Sequence, residues 1–268
     1  MVRYAVFLPP VGALADVRAL MDLAGAAEER GWDGFFLWDH VLRPSGEPPE
    51  VADPWVALAA VAVVTTRLRI GPMVTPIVRR RPQKLARETV TLDRLSGGRL
   101  VLGMGLGVDS AGELSRFGEP IDARQRGDIL DEGLELLAAL WSGDVVHHAG
   151  PFFVADGVAF LPRPVQRPRI PVWLAARGDA RRPVRRAARW DGLFPIEVDA
   201  DRLGRMVDLV VAERGGLDDF DIAVRTAPGV DMGLFEARGA TWAMAGVDPG
   251  ATVGDVERLI GRGPEALG

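Results

Sequence analysis

The sequence predicts a (β/α)8 barrel, in which eight parallel strands alternate with eight helices. Short apolar runs alternate with longer segments of helical periodicity from one end of the chain to the other, which is typical of a parallel sheet. Eight such pairs can be counted in 268 residues, which is the usual size of a (β/α)8 barrel. The count alone leaves an open, doubly wound sheet as the alternative.

Four strand–helix pairs are predicted in the first half of the chain. Residues 4–8 are a continuous apolar run, as expected for a strand covered on both faces. Asp16 and Asp122 are suited to cap helices, and Pro54 and Pro82 are suited to a first helical turn. The remaining strands of this half are predicted at residues 34–38, 68–74 and 100–103.

The pattern breaks at residues 142–168, where proline, glycine and histidine alternate with short apolar pieces. We expect an insertion there, in the form of a small hairpin. The alternation then resumes with strands predicted at residues 170–175, 192–195, 221–225 and 241–245. Since no linker or shift in composition divides the chain, we expect one domain over residues 1–268.

Composition narrows the class of partner to small molecules. The formal net charge is -5 with both signs spread along the chain, which argues against nucleic acid as a partner. No apolar run approaches the roughly 20 residues that span a bilayer, and the first residues lack the pattern of a signal peptide. The chain has no cysteine, which excludes disulfides and zinc–thiolate sites. We therefore expect a cytoplasmic protein that does not bind membranes.

His40 is the candidate catalytic residue, because it follows the second predicted strand directly. Active sites of barrels lie at the carboxyl ends of the strands, and imidazole suits proton transfer near neutral pH. Asp39 could tune or orient it, although adjacent side chains on an extended segment point apart. A loop histidine bonded to the backbone is the alternative. His147 and His148 are interpreted as surface or loop residues, and no metal site is predicted.

Glycines and arginines suggest where a ligand could bind. Gly103 and Gly105 follow a strand, but Val108 replaces the third glycine of a dinucleotide fingerprint, so these glycines are interpreted as letting a flat ligand or its phosphate approach the backbone. Residues 175–179 form either a phosphate-binding turn or an ordinary turn between a strand and a helix. Arginines cluster at residues 79–81 and 181–189, either as solvated surface or as a site for an acidic cofactor tail or a phosphate.

Several segments together resemble the luciferase-like monooxygenase family, whose members are oxidoreductases that depend on FMN or coenzyme F-420. The resemblance covers residues 1–195 well and the last quarter more loosely. It rests on residues 31–40 (GWDGFFLWDH), 53–55, 65–71, 92–107, 162–164, 170–173 and 191–192, with residues 240–242 beyond them.

The resemblance implies a barrel that binds FMN or coenzyme F-420 at the carboxyl ends of its strands. It also implies a bulge in the third strand, often with a non-prolyl cis peptide, that supports the isoalloxazine ring. The cofactor phosphate falls on residues 176–178, where relatives often carry Gly-Gly or Gly-Ser. The cofactor-binding residues predicted in this way and from the glycines are Pro72, Met73, Thr75, Gly103, Gly105, Ala176, Arg177 and Gly178.

The resemblance favours hydride transfer between coenzyme F-420 and a small organic substrate. Asp39 and His40 resemble the aspartate–histidine pair of deazaflavin-dependent members, in which the histidine serves near the reacting ring. A sugar-phosphate dehydrogenase of that group has a glutamate where this chain has Val108. An FMN-dependent monooxygenase served by a separate flavin reductase is an alternative, and a catalytically inactive barrel that binds flavin or another protein is another. The family also implies a homodimer.

Overall fold

The computed structural model describes residues 2–43, 47–178, 180–227 and 229–264. Two sheets are formed, one of nine parallel strands and one of two antiparallel strands. In chain order the strands are β1 Arg3–Leu8, β2 Gly34–Leu37, β3 Arg69–Pro72, β4 Thr75–Pro76, β5 Leu102–Gly105, β6 Val145–Ala149, β7 Val154–Ala159, β8 Val172–Arg177, β9 Gly192–Ile196, β10 Asp221–Thr226 and β11 Trp242–Gly246.

The larger sheet closes on itself through an interrupted strand. Its order is β3-β2-β1-β11-β10-β9-β8-β5-β4, so β3 pairs with β2 and β4 pairs with β5. A bridge between Ile70 and Leu100 joins β3 to the start of the fourth barrel strand. Because β3 and β4 are two halves of one strand, the barrel has eight strand positions, and the predicted (β/α)8 barrel is confirmed.

Eight helices follow the barrel strands, as the sequence predicted. Asp16 and Asp122 cap α1 and α4 by accepting hydrogen bonds from the amides of Arg18 and Gln125 at 2.8 and 2.7 Å. Two other helices begin at the predicted prolines. The helices are α1 Val17–Glu29, α2 Pro54–Val64, α3 Pro82–Leu95, α4 Ala123–Ser142, α5 Arg181–Ala187, α6 Ala200–Arg214, α7 Met232–Glu236 and α8 Val253–Arg262. None of the helices in the described ranges combines the length and the apolarity needed to cross a membrane.

The predicted insertion contains a hairpin formed by β6 and β7. His148 Nε2 lies 3.0 Å from Glu132 Oε1, which fastens the hairpin to α4. His147 is exposed and pairs with Asp156. Neither histidine lies at the carboxyl ends of the barrel strands.

Alternation along the strands separates two cores. Along β8, for example, Leu174 and Ala176 pack against the helices, whereas Trp173 and Ala175 belong to the cluster inside the barrel. Inside the barrel the ring centroids of Trp173 and Trp242 are 5.5 Å apart, and those of Phe36 and Trp173 are 5.6 Å apart. These rings fill the barrel, as is usual for this fold.

The fourth barrel strand lies two residues later than predicted, at Leu102–Gly105 instead of 100–103. The continuous apolar run does not mark the end of the strand. The strand extends further because Met104 and Gly105 pair with Thr75 and Pro76. Those partners come from another part of the chain and leave no trace in local periodicity. Gly103 and Gly105 therefore lie within the strand.

Candidate active site at the carboxyl ends of the barrel strands

The carboxyl ends of the barrel strands surround an open end of the barrel, which we call the mouth. On one side of the mouth, β3 and β4 are separated by Met73 and Val74, and the peptide bond between these two residues is cis. The predicted bulge with its non-prolyl cis peptide is therefore present.

Glycines let this bulge pack directly against β5. A Cβ on Gly103 would lie 2.3 Å from the carbonyl oxygen of Pro72 and 2.4 Å from Met73 Sδ. A Cβ on Gly105 would lie 2.7 Å from Val74 Cγ2 and 3.4 Å from the Cβ of Ala175 on β8. These residues form one side of the mouth, and none of them is larger than valine. We therefore call Val74, Gly105 and Ala175 the small-residue half of the mouth.

The other side of the mouth carries aromatic rings covered by guanidinium groups. The guanidinium carbon of Arg225 lies 5.7 Å from the ring centroid of Phe7 and 5.6 Å from that of Trp38, and that of Arg43 lies 5.2 Å from Trp38. A Cβ on Gly246 would lie 3.1 Å from Arg225 Nη2, so this glycine leaves room for the arginine. We call Phe7, Trp38, Arg43 and Arg225 the cationic half.

His40 lies at the edge of the cationic half and is held by a carboxylate. Its Nδ1 is 2.7 Å from Glu113 Oε2, its ring contacts Trp38, and Arg43 Nη1 is 3.4 Å from Nε2. Because the carboxylate accepts a hydrogen bond from the protonated Nδ1, it selects the tautomer of His40 in which the lone pair of the ring lies on Nε2. The His40 side chain is 20% exposed, so Nε2 can exchange a proton with a ligand.

Glu113 fastens the loop after β5 to the segment after β2. Its Oε1 accepts hydrogen bonds from the amides of Val41 and Leu42 at 2.7 and 3.1 Å. Burial raises the pKa of Glu113, but the hydrogen bond and charge of His40 and the two amides outweigh it, so the pKa lies below its ordinary value. The carboxylate is therefore charged near neutral pH.

Asp39 points away from the mouth, into a buried network. Its side chain is 1% exposed and accepts hydrogen bonds from Thr75 Oγ1 at 2.7 Å, Trp55 Nε1 at 3.3 Å and Arg80 Nη2 at 3.0 Å on Oδ2, and from Arg79 Nη2 at 3.0 Å on Oδ1. The aspartate thus holds the segment between β4 and α3 in place. Arg79 and Arg80 are neither solvated surface nor free for a cofactor tail, which are the two interpretations that the sequence left open.

The other predicted cofactor-binding residues divide into buried and exposed groups. Pro72, Met73 and Thr75 are buried, and Ala176 packs against the helices. Arg177 is exposed, and its Nη2 lies 3.2 Å from Glu197 Oε1. Gly178 has a φ of 66°, and a Cβ there would have no heavy atom within 4 Å, so its backbone is open to a ligand.

The second arginine cluster joins two helices. Arg182, Arg186 and Arg189 all pair with Asp131 on α4. Burial raises the pKa of Asp131, but Arg186 and its neighbours outweigh this effect and hold the pKa below its ordinary value. Within the described ranges, no group of three or more His, Asp or Glu side chains could hold a metal ion.

Comparison with known proteins supplies the family. The family model described as luciferase-like monooxygenase matches residues 2–254. The chain belongs to the luciferase-like monooxygenase family. The family predicted from the sequence is therefore confirmed.

Proteins similar to this chain include F420-dependent enzymes and a monooxygenase. The chain is 34% identical to the F420-dependent glucose-6-phosphate dehydrogenase of Nakamurella multipartita over 164 residues, 60% of this chain and 47% of that enzyme, so it spans about half the length of this curated relative. An F420-dependent secondary alcohol dehydrogenase is similar in structure over 100% of this chain and 99% of its own, with a TM-score of 0.85 and 16% identity. The monooxygenase RslO1 of Streptomyces bottropensis is similar over 99% and 79%, with a TM-score of 0.72 and 22% identity.

Three residues of the mouth were missed by the sequence analysis. Glu113 and Arg43 lie in loops without periodicity, where no local pattern indicates which way a side chain points. Arg225 lies two residues after Ala223, which faces the inside of the barrel. Counting by twos along this strand would have placed Arg225 at the mouth.

Proposed function

We propose that this member of the luciferase-like family is an oxidoreductase that transfers a hydride between coenzyme F-420 and a small organic substrate. The observation that carries the proposal is the position of His40. Its Nδ1 is held by Glu113 at 2.7 Å, while its ring contacts Trp38 of the cationic half and its side chain is partly exposed. A proton donor or acceptor is thereby fixed at the mouth.

The residues present suit a deazaflavin or flavin. Val74, Gly105 and Ala175 offer a surface without long side chains, and Gly178 offers an open backbone for a phosphate, with Arg177 beside it. Trp38 Nε1 is a buried donor that has no hydrogen-bond partner within the described part of the chain. When bound, the coenzyme would supply the hydride donor or acceptor.

The protein's own part in the reaction is to hold and move a proton. Glu113 keeps the proton on Nδ1, and Nε2 is free to accept a proton from a substrate hydroxyl or to return one to a carbonyl oxygen. Buried Asp39 fixes the adjacent backbone through Arg79 and Arg80. In this proposal Asp39 is therefore a positioning residue, and His40 is the catalytic residue.

Sequence similarity supports coenzyme F-420 over FMN. The relative that is 34% identical over 60% of this chain is an F420-dependent enzyme. The family description favours the second candidate, an FMN-dependent monooxygenase that receives reduced flavin from a separate reductase. The third candidate is a barrel without catalysis that binds flavin or a protein partner.

A binding titration separates the three candidates. Purified protein is titrated with coenzyme F-420 and with FMN, followed by absorbance and fluorescence, and then assayed with a panel of small alcohols and carbonyl compounds. Preference for coenzyme F-420 with substrate-dependent reduction supports the proposal. Preference for FMN with substrate-dependent oxygen consumption supports the monooxygenase, and binding of neither cofactor supports the third candidate.

The proposal includes a homodimer in the cytoplasm. The family resemblance supports the dimer, and a chain without cysteine fits the reducing cytoplasm. Light scattering at micromolar concentration measures the mass of the assembly, with 28.9 kDa expected for one chain. A monomer by this measurement would contradict the expected dimer and leave the proposed chemistry untouched.

A further inference from the structure

We infer that the substrate carries an anionic group, a carboxylate or a phosphate, which Arg43 and Arg225 bind above Trp38 and next to His40. This inference rests on the proposed function in that it takes the mouth as the place of reaction. It adds the chemical class of the substrate and two residues that recognise it.

The first step is the balance of charge at the mouth. Arg79 and Arg80 pair with Asp39, and Arg177 pairs with Glu197. In the described part of the chain, by contrast, Arg43 and Arg225 contact aromatic rings and the imidazole of His40, without a carboxylate. Glu113, the nearest candidate, is occupied by His40 and by two backbone amides.

The second step is the proximity of these two cations. Both guanidinium carbons lie over the same ring, at 5.2 and 5.6 Å from the centroid of Trp38. Two cations beside the same ring repel one another, and an anion that contacts both would turn the repulsion into attraction. Guanidinium groups bind carboxylate and phosphate through paired N–H donors.

The third step is that the site is already formed. Phe7 and Trp38 support the face of Arg225, as in a cation–π contact, and Gly246 leaves space for its guanidinium. Arg225 is exposed, so its donors can reach a ligand. An arginine held flat on two rings loses little conformational freedom when it binds an anion.

The fourth step assigns the anion to the substrate. Arg225 lies on β10, and Trp38 and Arg43 follow β2, whereas the open turn at Gly178 follows β8. What ties the arginine pair to the substrate is its contact with the proposed proton donor or acceptor. His40, the proposed proton donor or acceptor, lies beside the arginine pair, with Arg43 Nη1 at 3.4 Å from its Nε2.

The experiment uses inorganic phosphate and acetate as probes. Each is titrated by calorimetry into the full-length protein at low ionic strength, first alone and then with coenzyme F-420 bound. The variants are Arg225→Met and Arg43→Met, with Arg225→Lys to retain the charge without the paired donors. Arg262→Met is the matched control, because Arg262 is an exposed arginine at the end of α8 to which no binding role is assigned.

We expect Arg225→Met and Arg43→Met each to weaken phosphate binding by about tenfold or more, since each removes a charge-assisted hydrogen bond. The phosphate affinity of Arg225→Lys should lie between those of Arg225→Met and the unaltered protein, and Arg262→Met should bind phosphate as the unaltered protein does. Unchanged phosphate affinity in both methionine variants would overturn the inference. Competition between phosphate and coenzyme F-420, with equal weakening of both by Arg225→Met, would assign the arginines to the cofactor and overturn it as well.

The same titrations distinguish a failure of the proposed function from a failure of the anion site. If the unaltered protein does not bind coenzyme F-420, the titrations without coenzyme still decide whether Arg43 and Arg225 form an anion site. If coenzyme binds and phosphate does not, the anion site is refuted and the proposed function stands.

Discussion

The two halves of the mouth are built by opposite means. The small-residue half exists because side chains are absent, since a Cβ on Gly105 would lie 2.7 Å from Val74 Cγ2, and one on the neighbouring Gly103 would lie 2.3 Å from the carbonyl oxygen of Pro72 in the bulge. The cationic half exists because long side chains extend over rings and lack carboxylate partners within the described ranges. The first is fixed by steric fit, so substitutions there should damage the fold. The second is fixed by charge, so substitutions there should spare the fold and change binding.

The largest expected effect is on kcat and concerns His40. Replacing His40 by asparagine removes the proton-carrying nitrogen, and we expect kcat to fall by about 10²-fold or more. The dissociation constant of coenzyme F-420 should stay within about threefold, because proton transfer is not part of cofactor binding. Steady-state kinetics and a binding titration measure the two quantities. A kcat close to that of the unaltered enzyme would place the proton transfer elsewhere.

The next prediction tests the close packing of β5 against the bulge, next to the small-residue half. Gly103→Ala forces the Cβ against Pro72 and Met73, and we expect the free energy of unfolding to fall by about 1–3 kcal/mol. Gly25→Ala is the matched control, because a Cβ there meets no atom within 4 Å in the middle of α1; it should stabilise the protein by up to about 1 kcal/mol. Urea unfolding measures both. Equal stability of the two variants would contradict the steric account.

A smaller effect tests the link from Glu113 to His40. Glu113→Gln should lower kcat by about 10- to 100-fold, because the amide no longer selects the tautomer of His40. The KM should change less than kcat, which distinguishes positioning of the imidazole from loss of the fold.

The effect of Glu113→Gln on the free energy of unfolding should depend on pH. The pKa of Glu113 in the folded protein lies below its ordinary value near 4.5, so its stabilising contribution is present above that pH and is lost as the pH falls through the lowered pKa. The difference in unfolding free energy between the unaltered protein and Glu113→Gln should therefore shrink in acid. Glu257→Gln is the matched control, because Glu257 is an exposed glutamate on α8.

The smallest effect concerns the exposed rim. Arg177 and Glu197 form a pair in which both side chains are more than half exposed, so Arg177→Gln should change the free energy of unfolding by less than about 0.5 kcal/mol. Its affinity for coenzyme F-420 should fall, by about tenfold at most. An unchanged affinity would remove Arg177 from the predicted cofactor residues.

The sequence predicted what depends on local patterns. Apolar runs and capping residues located the strands and helices, and position after a strand singled out His40. The partners of these residues depend on distant segments. Glu113 is 73 residues from His40, and Arg80 is 41 residues from Asp39, so neither contact has a spacing that a single sequence could reveal. The arginine cluster at residues 79–81 was visible in the sequence, but the pairing of Arg79 and Arg80 with buried Asp39 was not.

The fastening of the segment after β2 has a consequence for engineering. The aspartate before His40 is tied to the start of α3, and the two amides after it are tied to Glu113. Because both flanks are anchored, residues 47–52 of the following loop can be randomised to search for new substrate ranges while the imidazole keeps its position. Under the proposed function, selectivity can thus be changed independently of the proton transfer at His40.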